Sequence, residues 1–521
     1  MKLALSEQIK EIDRFATEKL GIELSELVDR SGEAVAEAVR KYTKEGGRVL
    51  ILAGKGNNGA DGYSAAIKLL GEYPTSVIDV FGEGQRSPEG RELYEKFLSQ
   101  GGEIIKAPSE KKAKELISNA DTVVDAIFGT GFHGEIPECV KQIAVIISES
   151  ICVKKIAIDV PVGVNANDGS VDVGYAISVD ATVELSFIKP GIVSYPAKAY
   201  VGEIIYDGIG LPNRKIEENF ELGYSLVDSE LVKELLPKRK ENSNKSSFGK
   251  VLLITGSEKY RGAGILTLES ALRSGAGYVT YLGTQALTEA LMMKFPEAIY
   301  KTKKENSLLT DEDIKNITKE SQKANVTLIG SGSDSSEGLR QLTLALLREE
   351  GGALVLDADA INAISEEREE AKEAIRESKR EVILTPHPLE FSRISGIDVA
   401  TVQANRIAVA KEFANECRCI LVLKGAGTLI TNGKEVYINS SGSSALAKAG
   451  SGDVLAGAIC SIVASVGDSM TGSVIAVYLH GKAADTAKDE LSSYGVTPSD
   501  LPVRIAQELA KCEKSKQNIT K

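Results

Sequence analysis

A chain of 521 residues, 42% hydrophobic and 26% charged, exceeds what a single hydrophobic core supports and predicts two or more globular domains. Its net charge of -12 excludes nucleic acid and anionic membrane as principal partners, so any phosphate must be held by local amides, lysines or metal ions. The six cysteines (Cys139, Cys152, Cys417, Cys419, Cys460 and Cys512) show no C-x-x-C spacing. The opening MKLALSEQIKEID turns charged too soon for a signal peptide, and no run is long and apolar enough to span a bilayer. A cytoplasmic protein with free thiols is therefore expected; the C-x-C pair Cys417 and Cys419 reads as a metal or redox feature or, more simply, as two residues of a strand beginning CRCILVLKG.

In chain order, apolar residues from Ser6 to about Arg40 recur at helical spacing (Ile9, Ile12, Phe15, Ala16, then Leu24, Leu27, Val28). The runs RVLILAG, TSVIDVFG, TVVDAIFG, KKIAIDVP and ATVELSF then read as buried strands, separated by helical stretches such as SPEGRELYEKFLSQG. This alternation predicts a parallel sheet with helices on both faces and chemistry in the loops after its strands. A boundary is expected near residues 222–247, where the stretch PKRKENSNKSSFGK is polar and charged with little to bury. Beyond it KVLLITGS, AGYVTYLG, VTLIGSGS, ALVLDADA, EVILTPHP, CILVLKGAG and EVYINSS form a second α/β series. Two strongly helical segments follow, GSGDVLAGAICSIVASV and MTGSVIAVYLHGKAADTA, and the tail KCEKSKQNITK is expected to fray. No sequence repeat links the halves.

Four loops of the first half draw attention: GKGNNGADG, DAIFGTGFHGEIP, DVPVGVNANDG and FIKPG. Gly54, Gly56 and Gly59 spell the G-x-G-x-x-G of a dinucleotide fingerprint, and Asp79 lies where a ribose-binding acid belongs. That spelling points to a dehydrogenase, but Asn57, Asn58 and Asp61 suit an active site better than a phosphate cradle. Asp125 reads either as a site residue or as a helix cap, and His133 as a catalyst or a surface residue. In the second half Gly450-Ser451-Gly452 lead into an apolar helix with Asp453 in its first turn, an anion hole with a base beside it. A simple cap explains Asp453 equally well on spacing alone. The same openness holds for Lys424, on a phosphate turn or a surface turn, and for His387, aimed by Pro386 and Pro388 or purely structural. His480 reads as packing or surface.

Taken in order, AGKGNNGADG, DAIFGTGFHG and AIDVPVGVNANDG resemble the epimerase domain of the NAD(P)H-hydrate repair enzymes over roughly residues 1–220. The segments SSFGKVLLITGSEKYRGAGILTLESALRSGAGYV, LDADAIN, LTPHPLEF, KGAGT and AGSGD resemble the ADP-dependent NAD(P)H-hydrate dehydratase domain over about 230–510. The resemblance implies a Rossmann-like three-layer α/β/α domain over 1–222 and a ribokinase-like α/β/α domain over 223–521. It further implies interconversion of the R and S epimers of hydrated NADH or NADPH, then ADP-dependent dehydration of the S epimer, releasing AMP and phosphate.

By the same resemblance, Asn57, Asn58, Gly59, Ala60 and Asp61 contact the hydrated dinucleotide in the first half, together with Gly129, Thr130, Gly131, Phe132, His133, Gly134, Glu135 and Asp159. Asn58, Asp125 and Val162 hold a potassium ion, a hard cation suited to oxygen ligands. In the second half Ala263, Gly332, His387 and Asp453 contact the hydrate, while Lys424, Gly425, Ala426, Gly427, Thr428 and Gly452 contact ADP, which magnesium accompanies. Asp159 is the candidate acid/base of the first reaction and Asp453 the base that activates the ring hydroxyl in the second.

The sequence departs from the family at Ala60, Val162, Leu389 and Ala449, and the side chains of Leu389 and Ala449 are expected to narrow the pocket. A homo-oligomer is expected. A ribokinase-like small-molecule kinase fused to a dinucleotide-binding module is the competing reading; it predicts a stable phosphorylated product.

Overall fold

The computed structural model describes residues 1–82 and 86–519. The chain divides into two units, Lys2–Tyr224 and the residues from Ser225 onward with Met1. In the first, each apolar run becomes a parallel strand. The seven-stranded sheet runs in the order Glu103–Lys106, Thr75–Asp79, Val49–Ala53, Thr122–Ala126, Lys154–Ile158, Ala181–Leu185, Glu203–Asp207. Side chains alternate between faces because the strand repeat is two residues. Val49, Ile51 and Ala53 therefore pack with the helices Leu24–Tyr42 and Asn57–Leu69. Leu50 and Leu52 pack with Glu110–Ser118 and Glu138–Glu149 on the opposite face.

The first strand of this sheet, Val49–Ala53, sits in its interior, and winding reverses between it and Thr122–Ala126. Such a reversal leaves a crevice at the carboxyl ends of the two strands, the usual ligand position in open α/β sheets. Three glycines fit the chain into that corner for different reasons. A Cβ on Gly54 would lie 1.9 Å from the Ile127 carbonyl oxygen, and one on Gly59 would lie 2.2 Å from that of Gly54. A Cβ on Gly56 would meet nothing within 4 Å. Ala60, inside the helix Asn57–Leu69, is accommodated without strain.

In the second unit the parallel strands lie in the order Ile299–Thr302, Tyr278–Gly283, Lys250–Ile254, Val326–Ile329, Ala353–Leu356, Val382–Leu384, Ile420–Leu423. An antiparallel hairpin, Leu429–Thr431 and Val436–Asn439, continues the sheet. The helix Ser451–Val466 packs on Arg261–Arg273 at very close range: a Cβ on Gly457 would lie 2.3 Å from the Thr267 carbonyl oxygen, and Ser270 Oγ donates to the Val454 carbonyl at 2.6 Å. That contact places the first turns of both helices, carrying Ala263 and Asp453, at one end of the sheet.

Three sequence expectations change. The boundary expected near 222–247 is not all linker, because its first part holds the strand Tyr224–Val227 and the helix Ser229–Leu235, whose Val227 and Val232 are fully buried, and the polar PKRKENSNKSSFGK follows them. Neither Cys417 nor Cys419 is in a strand: Cys417 ends the helix Arg406–Cys417, Arg418 turns the chain at φ 51°, and the strand Ile420–Leu423 begins after Cys419. Both Cys417 and Cys419 are buried free thiols. The tail is helical through Ile519, its last described residue. The strands missed by sequence reading include Glu103–Lys106 and Ile299–Thr302, edge strands whose charged residues break any apolar run. Among the described residues no helix is long and apolar enough to cross a membrane.

The contact at Gly59 generates a test. Gly59→Ala forces a methyl into the Gly54 backbone and is expected to cost about 3 kcal/mol, read by urea denaturation, the upper end of overpacking penalties.

Candidate active sites

At the crevice of the first unit, the glycine loop, the 127–132 loop and the N-terminal helices enclose a cavity of about 450 Å³. Asn57, Asn58, Asp61, Gly129, Thr130, Gly131, Phe132 and Asp159 line it, together with Asp13, Ser31 and Lys189. Asp159 follows the strand Lys154–Ile158 with φ 68°, a left-handed conformation that costs an aspartate roughly 1–2 kcal/mol. The strained turn aims its carboxylate at the loop, where it accepts from the Thr130 amide at 2.7 Å. A Cβ on Gly129 would stand 2.6 Å from Asp159 Oδ2, so only glycine lets the loop close on the carboxylate.

Lys189 holds the other side of Asp159. Its ammonium donates to Asp159 Oδ1 and to Glu184 Oε2, the latter at 3.0 Å, with Lys189 and Glu184 side chains 1% and 0% exposed. Burial works against the charge of Lys189, yet the two carboxylates raise its pKa above the usual lysine value. The Lys189 charge thus serves two acids.

The remaining acids are pushed the opposite way. Burial raises Asp61 well above the usual carboxylate range, the Asp159 and Asp13 charges add to the rise, and Ser31 bonds it. Burial also lifts Asp13 to about 6. The cavity therefore pairs a lysine-bound carboxylate, Asp159, with an acid whose proton affinity burial raises, Asp61, an arrangement suited to moving protons in both directions.

Asp125, fully buried, accepts from the amides of Ile127 at 3.2 Å and Val162 at 2.9 Å, and burial raises it to about 6. Asn58 donates to the carbonyls of Phe128 at 2.7 Å and Ile158 at 3.2 Å. The Val162 carbonyl already accepts from the Ile177 amide at 3.0 Å.

Several sequence candidates lie elsewhere. Gly59 and Ala60 are buried at the helix start and line neither cavity. His133, Gly134 and Glu135 line a neighbouring cavity of about 620 Å³, which shares Phe128, Gly129, Thr130 and Phe132 with the first. Asp79, the supposed ribose acid, is buried against Arg86. Sequence reasoning missed Lys189 and Glu184; the signal was a glutamate inside the apolar run ATVELSF, because a buried charge requires a partner.

In the second unit a charged cluster gathers at the strand ends. Lys424 Nζ lies 2.9 Å from Asp357 Oδ1 and 3.8 Å from Glu390 Oε2, and 3.5 Å from the position a Cβ on Gly452 would take. Ser331 and Thr385 hydroxyls complete the shell of Asp357 at 2.8 and 2.7 Å. Asp453 stands in the first turn of Ser451–Val466, after Gly450 at φ 98°. Burial and then the Asp357 charge raise it to about 7, with Lys424 opposing.

His387 caps the helix Pro388–Ser395, its Nδ1 accepting from the Leu389 and Glu390 amides, each at 3.2 Å. Burial, then the Lys424 charge, lowers its pKa, so its half-exposed ring is neutral. Ala263 and Gly332 meet directly: a Cβ on Gly332, φ 58°, would lie 2.4 Å from that of Ala263. Gly425 and Ala426 face solvent on the turn after Ile420–Leu423, while Thr428 Oγ1 closes it onto the Gly425 carbonyl at 2.9 Å. Leu389 and Ala449 are exposed. Asp357 went unassigned from sequence, although LDADAIN carries it. His480 is buried in the helix Ser469–Gly495, and burial lowers its pKa to about 4.

Two α/β units, each gathering carboxylates of unequal proton affinity at the carboxyl ends of its parallel strands, give the chain two candidate active sites. Residues 24–191 match the family model of the YjeF-related protein N-terminus, and residues 251–507 that of NAD(P)H-hydrate dehydratase. The bifunctional NAD(P)H-hydrate repair enzyme of Thermofilum pendens is 31% identical, over 96% of this chain and 95% of its own. Its counterpart in Helicobacter pylori is 31% identical, over 97% and 100%. Among solved structures, the ADP/ATP-dependent NAD(P)H-hydrate dehydratase of Bacillus subtilis, co-crystallised with ATP and Mg2+, is 28% identical with a TM-score of 0.49, covering 56% of this chain and all of its own. This chain belongs to the family of bifunctional NAD(P)H-hydrate repair enzymes.

The lysine generates a second test. Lys189→Met leaves two carboxylates without their cation and is expected to cost about 3–5 kcal/mol in denaturant unfolding of the first unit, the range for breaking a buried ion pair. Lys189→Met with Glu184→Gln is expected to recover part of that loss.

Proposed function

We infer that this chain repairs hydrated NADH and NADPH, the first unit interconverting the R and S epimers and the second dehydrating the S epimer with ADP. The observation that carries this reading is that the family match runs through both units and reaches both charged clefts.

In the first cleft Asp159, held by Lys189 and the Thr130 amide, takes the hydroxyl proton as the bond between the hydroxyl-bearing carbon and the ring nitrogen opens, and Asp61, whose proton affinity burial raises, gives a proton to that nitrogen. Reclosure on the other face, with both protons returned, gives the other epimer. Asn57, Asn58 and the loop Gly129–Phe132 hold the dinucleotide, and His133 to Glu135 extend the contact into the adjoining cavity. A potassium ion fits here because the donors are oxygens: the Asp125 carboxylate, the carbonyls of Phe128 and Ile158, and the Asn58 amide oxygen once its amide is turned. When bound, it would supply positive charge beside a phosphate-bearing substrate. Val162 gives its amide to Asp125, and its carbonyl, which accepts one hydrogen bond from Ile177, keeps a lone pair as the further ligand.

In the second cleft Asp453 takes the ring hydroxyl proton as the oxygen attacks the terminal phosphoryl group of ADP. The phosphorus–oxygen bond to AMP breaks, and elimination of phosphate then restores the nicotinamide ring. Gly450 to Gly452, at the helix N-terminus, receive the phosphoryl charge, while the turn Lys424 to Thr428 carries the nucleotide. Ala263, Gly332 and His387 bound the hydrate. Among the described residues no group of three His, Cys, Asp or Glu side chains could hold a metal, and Asp357 is bonded to Lys424, Ser331 and Thr385. Magnesium would therefore arrive on the nucleotide phosphates, needing no protein cage.

The test mixes the chain with both epimers of hydrated NADH, ADP, potassium and magnesium and follows the return of NADH absorbance. Complete return, faster than the epimers interconvert unaided, is expected. Asp159→Asn should give fast return of only the S fraction, and Asp453→Asn a loss of about 10²–10⁴-fold in dehydration rate. A stable phosphorylated product without NADH would mark a kinase.

The pH dependence follows from Asp453, which must be ionised to act. Its folded pKa is raised from 3.8 to about 7, so dehydration should rise through about pH 7 and level off above it. Because the folded state holds this proton more tightly, stability from this group falls as pH rises between the same two values. Asp453→Asn should flatten that stability slope, read by thermal unfolding across the interval.

A further inference from the structure

On the turn read above as the nucleotide site, the cation without a carboxylate is Arg406, and Lys424 is not. The ammonium of Lys424 is bound to Asp357 and close to Glu390. Arg406, 3% exposed at the start of the helix Arg406–Cys417, forms no ion pair among the described residues. Its Nη2 donates to the carbonyls of Leu423 at 3.1 Å and Lys424 at 3.3 Å, and its Nη1 to Gln403 Oε1 at 3.0 Å. Burial alone pushes its pKa down to about 10.

Gly425 is built around this guanidinium. Its φ is 141°, and a Cβ there would lie 3.1 Å from both Nη1 and Nη2. Across a trans peptide the C=O and N–H point in opposite directions. Because Arg406 holds the Lys424 carbonyl, the Gly425 N–H is turned away from the guanidinium toward the exposed side of the turn, where no group of the described chain accepts it. The arrangement presents a polarised amide, backed by a buried positive charge, at a solvent-facing turn, and only an anion satisfies both.

We propose that Arg406 is a positioning residue for the nucleotide: it orients and polarises the Lys424–Gly425 peptide so that the Gly425 N–H binds a phosphate oxygen of ADP, whose charge compensates the guanidinium. The inference rests on reading Lys424 to Thr428 as the nucleotide turn.

The experiment titrates magnesium-ADP into the full chain by calorimetry, with no hydrate present, for the unaltered chain, Arg406→Gln, Arg406→Met and Arg406→Lys. Loss of the charge should weaken ADP on the order of tenfold in the Gln and Met variants, the factor a hydrogen bond to a charged group supplies, while Lys stays within about threefold. In the repair assay KM for ADP should rise in parallel while KM for the hydrate holds. The nucleotide-free Gln and Met variants should melt at or above the unaltered chain, since an uncompensated buried charge has gone.

ADP binding in the Gln and Met variants within about twofold of the unaltered chain would overturn the proposal. So would failure of both to fold while Arg406→Lys folds, which would assign the residue to the fold. Absence of ADP binding to the unaltered chain would instead overturn the nucleotide reading of the turn, and this inference with it.

Discussion

A parallel sheet whose first strand lies in its interior must reverse its winding beside that strand, and the cleft of the first unit follows from this constraint. In the first unit the reversal falls between Val49–Ala53 and Thr122–Ala126, and in the second between Lys250–Ile254 and Val326–Ile329. Successive crossovers go to opposite sides there, so the loops part and leave a space no side chain from the sheet fills. Fully buried strands can hold the surrounding backbone rigid, as the unbroken burial of Val49–Ala53 and Thr122–Ala126 shows. Rigid strand ends then allow short, strained turns such as Asp159 at φ 68° and Ala358 at φ 45° to persist.

In both sites, charge compensation decides which groups are ionised. Lys189 serves Asp159 and Glu184, while burial raises the proton affinity of Asp61 and Asp13. In the second unit Lys424 serves Asp357 and Glu390, and Asp453, farther from that cation, is raised to about 7. The same device appears twice on unrelated sequence: one buried lysine divided between two acids, with a third acid left near neutrality. Acids of unequal proton affinity in one cavity are what proton transfer at neutral pH requires.

Much of this was legible in the sequence, for reasons tied to particular residues. Strands buried on both faces announce themselves as apolar runs, so RVLILAG or EVILTPHP could be placed without any tertiary knowledge. Glycine and acid at strand ends marked the loops. Partner identity was not legible. Nothing local links Lys189 to Asp159 or Lys424 to Asp357, 30 and 67 residues apart in sequence, because these pairings are set by sheet order. Edge strands such as Glu103–Lys106 stayed hidden since solvent on one side permits charged residues. Cys417 was misplaced because an αL turn at Arg418 ends a helix without any glycine to mark it. The fraying expected of the tail rested on its polarity, which a single-faced helix also tolerates.

The glycines of AGKGNNGADG carry a lesson about how motifs tolerate change. Gly54 and Gly59 touch backbone oxygens and exclude any side chain, Gly56 faces the cavity, and the position at 60 touches nothing that forbids a methyl. The two backbone-contact glycines are thus invariants of shape, common to any chain that turns from strand to helix this tightly, whatever it binds. Ligand choice is written in the residues between them. A pattern search that weights every glycine equally will therefore recover the corner and mistake the molecule that sits in it.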